Sequence, residues 1–297
     1  GVGNQWRFPY LAAKDGGGLF LIVYLVLVLT FGFTLLTSDI AIGRRTKESA
    51  IGAYSKMQER WKFLGILTFL VPVLIMTYYA VIGGWITRYA VVYLSGQAEA
   101  AARDGYFTSF ITSPVSPVIF ALLFMGVTAL IVYNGVEGGI ELVSKCMMPV
   151  LLVLVVIIAG YSLTLHHVDA DGQVRTGMEG FLYYIRPDLE GITLRRFLQI
   201  LLDAMSQMFF SLSVSMGIMI TYGSYVKPEV DLNRAVNQIE IFDTGVALLA
   251  GAMIIPAVYV FSGTEGMSAG PSLMFISLPK VFAAMGKAGV FMGILFF

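Results

Sequence analysis

Long apolar blocks alternate along the chain with short segments that hold most of its charges. Several blocks carry no formal charge over about 20 residues, which is the length a helix needs to cross the hydrocarbon core of a bilayer. A helix also satisfies its backbone hydrogen bonds internally, whereas an open strand in hydrocarbon cannot. We therefore predict six complete membrane-spanning helices, within residues 19–38, 63–87, 115–133, 146–165, 204–226 and 244–264.

Two further apolar stretches are shorter. Residues 4–14 follow a glycine-flanked point and predict half of a helix, and the stretch from Val281 predicts a span that is cut off by the end of the chain. The chain begins at Gly1 without a methionine and ends at Phe297 inside an apolar run. We therefore expect it to be part of a longer membrane protein.

The composition supports a membrane protein. Of 297 residues, 57% are apolar and 13% are charged, whereas soluble domains carry about 25% charged residues. The formal net charge of zero argues against a basic nucleic-acid-binding surface, and Cys146, the single cysteine, cannot form an internal disulfide. The sequence contains no nucleophile–base pair or metal cluster that would indicate an enzyme. The predicted fold class is an all-α polytopic membrane protein.

The loops predict an orientation. Residues 43–62 carry six basic side chains against Glu48 and Glu59, which places this loop in the cytoplasm. Residues 166–195 then lie outside. His166 and His167 stand at the outer end of a span, where metal binding is one possibility, but we interpret them as structural.

Polar groups and helix breaks inside apolar spans mark functional positions in membrane proteins, and the first such region is residues 1–10. Gly1 and Gly3 precede a helix start, where unpaired N–H groups at the positive end of the helix dipole suit a carboxylate. The side-chain carbonyl of Asn4 suits a hard cation such as sodium. Arg7 needs an acidic partner that this chain does not supply. A glycine-rich turn with a snorkelling arginine explains the same residues.

The second region lies within residues 204–226. Ser211, Ser213 and Ser215 alternate, which does not fit one face of a helix, and they precede Gly217. This spacing predicts a break in mid-membrane with carbonyls and hydroxyls turned inward, since unwound backbone at that depth is tolerated where it lines a cavity. The alternative is an intact helix whose serines bond to its own carbonyls.

Two acids and a pair of tyrosines are the remaining polar residues in or near the apolar spans. Burying the ionised carboxylate of Asp243 in the membrane costs free energy unless a cation or donor pairs with it. Asp243 could also stand just outside the hydrocarbon. Asp39 could cap a broken helix nearby. Of Tyr78 and Tyr79, at most one points inward, because adjacent residues on a helix face different ways.

Several strings together resemble one transporter family. Gly-Val-Gly-Asn-Gln-Trp-Arg-Phe-Pro-Tyr, followed by three glycines, is similar to the first-helix signature of the neurotransmitter:sodium symporter family. The similarity continues through Asn134-Gly135, Phe209-Phe210-Ser211-Leu212-Ser213, residues 220–225 and Leu278-Pro279. The resemblance covers essentially the whole chain.

This resemblance implies an inverted-repeat transporter fold in which helices one and six are broken at the binding site. It implies that residues 1–297 form a single transmembrane transporter domain, truncated at both ends, from the middle of helix one to the start of helix eight. It also implies sodium-coupled symport of a neutral amino acid across the cell membrane by alternating access.

The resemblance implies three groups of site residues. The substrate is expected to bind the backbone N–H groups of Val2 and Gly3, the hydroxyl of Tyr79, the carbonyls of Phe210 and Ser211, and Ser213. Its side chain is expected to lie among Ile75, Phe210, Val214, Ser215 and Met216. Sodium is expected at Asn4, Ser211 and Asp243, and the gates are expected to use Arg7, Gln207 and Tyr225.

Two departures from the family pattern bear on function. Asp243 stands where relatives commonly carry Asn, and Ala247 stands where chloride-dependent members carry Ser. A fixed carboxylate beside sodium would supply the negative charge that chloride supplies elsewhere, so we expect chloride-independent transport. Ser215 and Met216 replace the Gly and Phe of many relatives, which leaves the preferred substrate side chain open.

The sequence also indicates the kind of source. No Asn-x-Ser/Thr sequon occurs, and the loop over residues 95–114 is short and lacks cysteine, so a bacterial inner-membrane transporter fits better than an animal carrier. A proton-driven transporter of the amino acid–polyamine group and an amino-acid sensor that does not transport remain alternatives. The expected partners are sodium ions, a small neutral amino acid and the lipid bilayer, with no nucleic acid.

Overall fold

The computed structural model describes residues 2–168 and 172–297, most of which are helical. The α-helices are α1 (Phe8–Lys14), α2 (Gly18–Leu27), α3 (Phe33–Thr46), α4 (Ala50–Met57), α5 (Lys62–Leu94), α6 (Ala98–Ala101), α7 (Tyr106–Ile111), α8 (Ser116–Tyr133), α9 (Leu142–Thr164), α10 (Gly177–Ile185), α11 (Leu194–Leu212), α12 (Ile218–Tyr225), α13 (Leu232–Gly266), α14 (Leu273–Ala284) and α15 (Lys287–Phe296). Two strands, β1 (His166–Val168) and β2 (Val174–Thr176), pair antiparallel, with His167 opposite Arg175.

Wider and tighter turns extend several helices. The π-helical turns Gly3–Arg7 and Val136–Glu141 lead into α1 and α9, and a third, Val28–Gly32, joins α2 to α3 in one continuous helix. The 3-10 turns Glu59–Trp61 and Gly270–Ser272 precede α5 and α14. α13 is kinked at Gly263, where φ is +63°.

Within the described residues, five helical segments are long and apolar enough to cross a membrane. They overlap five of the six predicted spans, and most extend beyond the predicted ends because a helix can continue into polar residues past the hydrocarbon. They are Gly18–Thr46, Glu59–Leu94, Ser116–Tyr133, Val136–Thr164 and Leu232–Gly266.

Two of the predicted apolar stretches are interrupted. The break predicted within residues 204–226 is present, because α11 ends at Leu212 and α12 begins at Ile218. The prediction of a single truncated span from Val281 needs correction: Val281 lies in α14, and a turn at Gly286 with φ of +63° separates α14 from α15. A residue with left-handed backbone ends a helix, and the hydropathy of an apolar stretch does not show where such a residue lies.

The spanning helices carry large exposed apolar faces. α8 buries none of its residues, and its exposed side chains include Val118, Leu122 and Leu130. A helix that is apolar on all sides and still exposed is expected to contact hydrocarbon or other apolar helices and not water. The exposed surface therefore agrees with a bilayer as the surrounding solvent.

The helix packing divides into two compact units. The first unit runs to Met76 and includes Ile185–Leu248. Its core contains stacked and edge-on aromatic rings: Phe8 lies edge-on to Phe20 at 5.6 Å and to Tyr24 at 5.0 Å between ring centroids. All three rings are fully buried. These contacts hold α1 against α2 and so position the residues that precede α1.

Close approach of backbones joins α3 to α12 within the first unit. A β-carbon on Gly43 of α3 would collide with the carbonyl of Ile220, and one on Gly223 of α12 would stand 2.5 Å from the carbonyl oxygen of Ile40. Small residues on both faces therefore let the two helices pack closely, as in other membrane helix pairs. This contact fixes α12 and the segment that precedes it.

The second unit contains Thr77–Tyr184, apart from residues 169–171, and Leu249–Phe297. It is also built around aromatic rings. The hydroxyl of Tyr89 donates to the carbonyl of Phe275 at 3.0 Å, and Phe107 stacks on Phe275 with centroids 5.2 Å apart. At its surface, Lys280 Nζ lies 2.7 Å from Asp104 Oδ1.

Candidate functional site

The turn Gly3–Arg7 brings Asn4 into the interior of the first unit. Asn4 is 3% exposed, and Gly3, Gln5 and Trp6 are buried with it. The carbonyl of Gly3 accepts a hydrogen bond from Nε2 of Gln207 on α11 at 3.3 Å. The start of the chain is thus fastened to α11, the helix that carries the second polar region.

The chain between α11 and α12 is not helical. Ser213 and Ser215 have φ of +55° and +59°, and Gly217 has φ of +78°. Non-glycine residues in this left-handed region are strained by about 1–2 kcal/mol each. The intact-helix alternative is therefore wrong for residues 213–217, and backbone groups that a continuous helix would satisfy are released here.

The side chains of this interruption differ in exposure. Val214 and Met216 are buried, whereas Ser215 is exposed and Ser213 is partly exposed. The inward direction of the serine hydroxyls stays a prediction, because a side chain that lines an open cavity is exposed too. The backbone N–H of Ser215 donates to Oδ2 of Asp39 at 2.8 Å. Asp39 thus caps the interrupted segment, as the sequence predicted.

Three polar side chains from three separate parts of the chain meet in the first unit. The hydroxyl oxygen of Ser211 lies 2.6 Å from Oδ1 of Asn4 and 2.5 Å from Oδ2 of Asp243. The amide of Asn4 donates to Oδ1 of Asp243 at 2.8 Å and to its carbonyl oxygen at 3.1 Å. We call Asn4, Ser211 and Asp243 the oxygen cluster.

The oxygen cluster suits a hard monovalent cation. The hydroxyl of Ser211 has one proton but lies within hydrogen-bond distance of two acceptor oxygens, one on Asn4 and one on Asp243. It can donate to only one of them, so its contact with the other brings two oxygens together without a proton between them. Hard cations bind oxygen ligands of this kind, and the single formal charge of Asp243 matches one positive charge. α13 begins at Leu232, so Asp243 lies well inside a helix and not at its start.

Arg7 contacts Gln207, which the family resemblance placed with it at a gate, and two further residues of α11. Its guanidinium donates to Oε1 of Gln207 at 3.0 Å and to the hydroxyl of Ser206 at 2.8 Å, and it lies 5.3 Å from the ring centroid of Phe210. All three partners lie within about one helical turn of α11. The predicted gate residues Arg7 and Gln207 are therefore in direct contact.

The remaining predicted residues lie in several places. Val2 stands at the start of the π-helical turn and is half-buried, Ile75 lies in α5 within the first unit, and Tyr225 ends α12 with 63% of its surface exposed. Tyr79 lies further along α5, in the second unit.

Tyr24 is a buried polar neighbour that the sequence did not single out. It is fully buried and lies beside Ser211 and Asp243. Its position in an uncharged apolar run made it look like an ordinary core residue. The one signal in the sequence was that the Tyr24 hydroxyl is a polar group inside an apolar span.

The histidines show no metal-site arrangement. His166 and His167 are exposed on β1, and among residues 2–168 and 172–297 no three His, Cys, Asp or Glu side chains come together as metal ligands would.

Comparison with known proteins identifies relatives of the whole chain. The model of the sodium:neurotransmitter symporter family matches residues 1–101 and 111–297. The chain is 35% identical over 287 residues to an uncharacterized sodium-dependent transporter of Bacillus subtilis, covering 95% of this chain and 60% of that protein. It is 33% identical over 312 residues to an uncharacterized sodium-dependent transporter of Haemophilus influenzae, covering 100% of this chain and 65% of that protein.

A solved structure has the same fold. The crystal structure of MhsT in complex with L-phenylalanine superposes with a TM-score of 0.88 at 37% identity, covering 100% of this chain and 65% of that one. The chain thus spans 60 to 65% of the length of these relatives. The all-α transporter fold predicted from the sequence is confirmed, and so is the prediction of a multi-pass membrane protein. The chain belongs to the sodium:neurotransmitter symporter family.

Proposed function

We propose that the protein couples the entry of sodium to the uptake of a neutral amino acid across the cytoplasmic membrane by alternating access. The observation that carries this proposal is the oxygen cluster, where Asn4, Ser211 and Asp243 converge within hydrogen-bond distance. Family membership and the L-phenylalanine bound to the similar MhsT structure support an amino acid as the substrate class.

Two backbone segments are proposed to bind the two charges of a zwitterion. The N–H groups of Val2 and Gly3, which the family resemblance assigns to the substrate carboxylate, lie at the π-helical turn that leads into α1. The carbonyls of Phe210 and Ser211 lie in the last turn of α11, at its negative end, which favours an ammonium group. Ser213 follows that turn directly.

The substrate side chain is proposed to lie among Ile75, Val214, Ser215, Met216 and the Phe210 ring. The buried thioether of Met216 is flexible and adapts to different apolar shapes. We therefore expect neutral amino acids with apolar side chains to be preferred over charged ones.

Transport is proposed to be independent of chloride. Asp243 supplies one fixed negative charge to the oxygen cluster, and Ala247, one turn further along α13, is fully buried and has no polar group to hold an anion. A second negative charge beside Asp243 would be repelled. Replacing chloride by gluconate is expected to leave uptake unchanged.

Sodium alone can drive substantial accumulation. One sodium ion moving down a tenfold gradient releases about 1.4 kcal/mol, and about 2.3 kcal/mol more comes from a potential of 100 mV. Together these support an accumulation of several hundredfold for each sodium ion.

The test is uptake of labelled neutral amino acids by the full-length protein in proteoliposomes, with sodium or potassium outside. Uptake that requires sodium is the expected result. Uptake that follows a proton gradient and ignores sodium would instead indicate the amino acid–polyamine type. Binding without uptake would indicate a sensor, and either result would overturn the proposal.

A further inference from the structure

A second charged cluster lies at the end of α1, away from the oxygen cluster. Asp15 directly follows this helix, and its side chain is 0% exposed. Neither carboxylate oxygen accepts a hydrogen bond from a described residue. The charged groups that face it are Lys14, Arg196 and Asp203.

The two cations of this cluster are directed mainly at other acceptors. Lys14 Nζ lies 2.7 Å from Oδ2 of Asp203 but 4.0 Å from Oδ1 of Asp15. Arg196 Nη2 lies 3.3 Å from Oδ1 of Asp15 and donates its hydrogen bond to the carbonyl of Lys14 at 2.7 Å. Asp203 also accepts from Gln199 at 3.2 Å. Asp15 is therefore more buried than Asp203 and has fewer close cations and hydrogen-bond donors to stabilise a negative charge.

An ionised carboxylate in this position is unfavourable because burial removes its hydration without supplying hydrogen bonds. Burial, helped by the neighbouring Asp203, raises the pKa of Asp15 to about 7 against the opposing effect of Lys14 and Arg196. Asp15 thus changes charge near neutral pH. Asp203 remains ionised there, since hydrogen bonds from Lys14 and Gln199 lower its pKa against the opposing effect of burial.

The cluster joins the same two helices that carry the candidate site. Lys14 and Asp15 end α1, and Arg196 and Asp203 lie on α11. Along this interface, Arg7 binds Gln207 and Ser206, and the oxygen cluster lies beyond them. A change in the charge of Asp15 therefore acts directly on the contact between α1 and α11.

We propose that Asp15 is a proton-binding site, and that the proton it holds keeps α1 docked on α11 in the form that binds sodium and substrate. When the proton leaves to solvent past the partly exposed Asp203, two carboxylates compete for Lys14 and Arg196. The contact between α1 and α11 then loosens. The effect on binding rests on the proposed sodium-coupled function, whereas the proton site itself does not.

The first test measures the proton site without sodium or substrate. An aspartic acid in the unfolded chain titrates near pH 3.8, so the folded protein holds an extra proton between about pH 4 and pH 7 and loses stability as the pH rises through that window. Asp15→Asn imitates the neutral acid. The melting temperature of purified full-length Asp15→Asn should therefore exceed that of the wild type by an amount that grows from pH 4 to pH 7 and is constant above pH 8.

Infrared difference spectroscopy between pH 6 and pH 8 identifies the group directly. The carbonyl band of a protonated carboxylic acid should disappear as the wild type is titrated and should be absent from Asp15→Asn. Asp203→Asn is the matched control and should keep a titrating band. A band that persists in Asp15→Asn, or a melting difference that does not vary with pH, would overturn the proton site.

Arg196→Gln supplies a second variant should Asp15→Asn fold poorly. Removing this cation leaves Asp15 less compensated, so the midpoint of the infrared titration should move to higher pH. An unchanged or lower midpoint would contradict the assignment.

The second test links the proton to transport. Sodium-dependent uptake by the wild type should fall at least twofold between pH 6.5 and pH 8.5, and Asp15→Asn should remove most of that fall. A wild-type pH profile in Asp15→Asn would overturn the link to binding. Failure of the proposed function looks different, because the wild type would then show no sodium-dependent uptake at any pH.

Discussion

Replacing Asp243 by Asn is the most direct test of the oxygen cluster. The substitution keeps the shape of the side chain and its place between Asn4 and Ser211, but it removes the formal charge. Asp243 accepts hydrogen bonds from both neighbours, at 2.8 Å from Asn4 and 2.5 Å from Ser211. An amide oxygen can still accept one of them, so we expect the fold to persist while the cluster becomes neutral.

The size of the effect follows from the distances in the cluster. A cation bound among these oxygens would lie within about 4 Å of the carboxylate, where two unit charges attract by about 4 kcal/mol at an effective dielectric constant of about 20 and by about 1 kcal/mol in bulk water. Asp243 is neither fully buried nor exposed, so its environment lies between these limits. We expect Asp243→Asn to weaken sodium binding at least tenfold, which corresponds to about 1.4 kcal/mol.

The assay is sodium-dependent binding of a labelled amino acid to the purified full-length protein. The half-saturating sodium concentration should rise at least tenfold in Asp243→Asn, and substrate affinity at fixed sodium should fall with it because the two sites are coupled. Glu240→Gln is the matched control, since Glu240 lies one turn earlier on α13, is 6% exposed and stands outside the oxygen cluster. A change of less than twofold in Asp243→Asn, or an equal change in Glu240→Gln, would refute the assignment.

Two further predictions concern the backbone that positions the site. Gly43→Ala should destabilise the protein by about 1–3 kcal/mol, because the added β-carbon meets the carbonyl of Ile220 where α3 and α12 are in close contact. Thermal unfolding in detergent checks this, with Gly245→Ala as a control at an open position. Equal melting temperatures for the two variants would contradict the prediction. Ser213→Gly should stabilise the protein by about 1 kcal/mol, since φ at Ser213 is +55° and glycine adopts this conformation without strain. A lower melting temperature for Ser213→Gly would show that the hydroxyl outweighs the strain.

The break between α11 and α12 shows how far residue patterns reach. Alternating serines before Gly217 predicted an interruption, and the helix does stop at Leu212. The same pattern predicted inward hydroxyls, which stays a prediction: Ser215 is exposed while Val214 and Met216 are buried, and a side chain that lines an open cavity is exposed too. A pattern reports that a helix is disfavoured, but the direction of each side chain depends on the φ and ψ of the broken segment. At Ser213 and Ser215 these lie in the left-handed region.

Partners far apart in the chain were beyond sequence reasoning. Arg7 binds Gln207, 200 positions later, and Ser206. The family resemblance placed Arg7 and Gln207 at one gate without giving this contact, and the acidic partner expected from outside the chain stays a prediction. Nothing in the residue spacing indicates such a pair, because two helices can pack in many registers. Asp15 was likewise an ordinary loop acid in the sequence, and only the packing of α1 on α11 shows that it is buried.

The sequence by itself determined the class of protein and most of its spanning helices, and its resemblance to a known family indicated the three residues of the oxygen cluster. The spans could be predicted because the bilayer imposes a local rule, about 20 apolar residues for each crossing, and polar groups in such runs are costly enough to mark a function. The tertiary structure decided the contacts themselves: the hydrogen bonds among Asn4, Ser211 and Asp243, Ser215 as the residue that Asp39 caps, and the burial of Asp15. These depend on how helices distant in the chain approach one another, and that is set by packing between surfaces and not by any local run of residues.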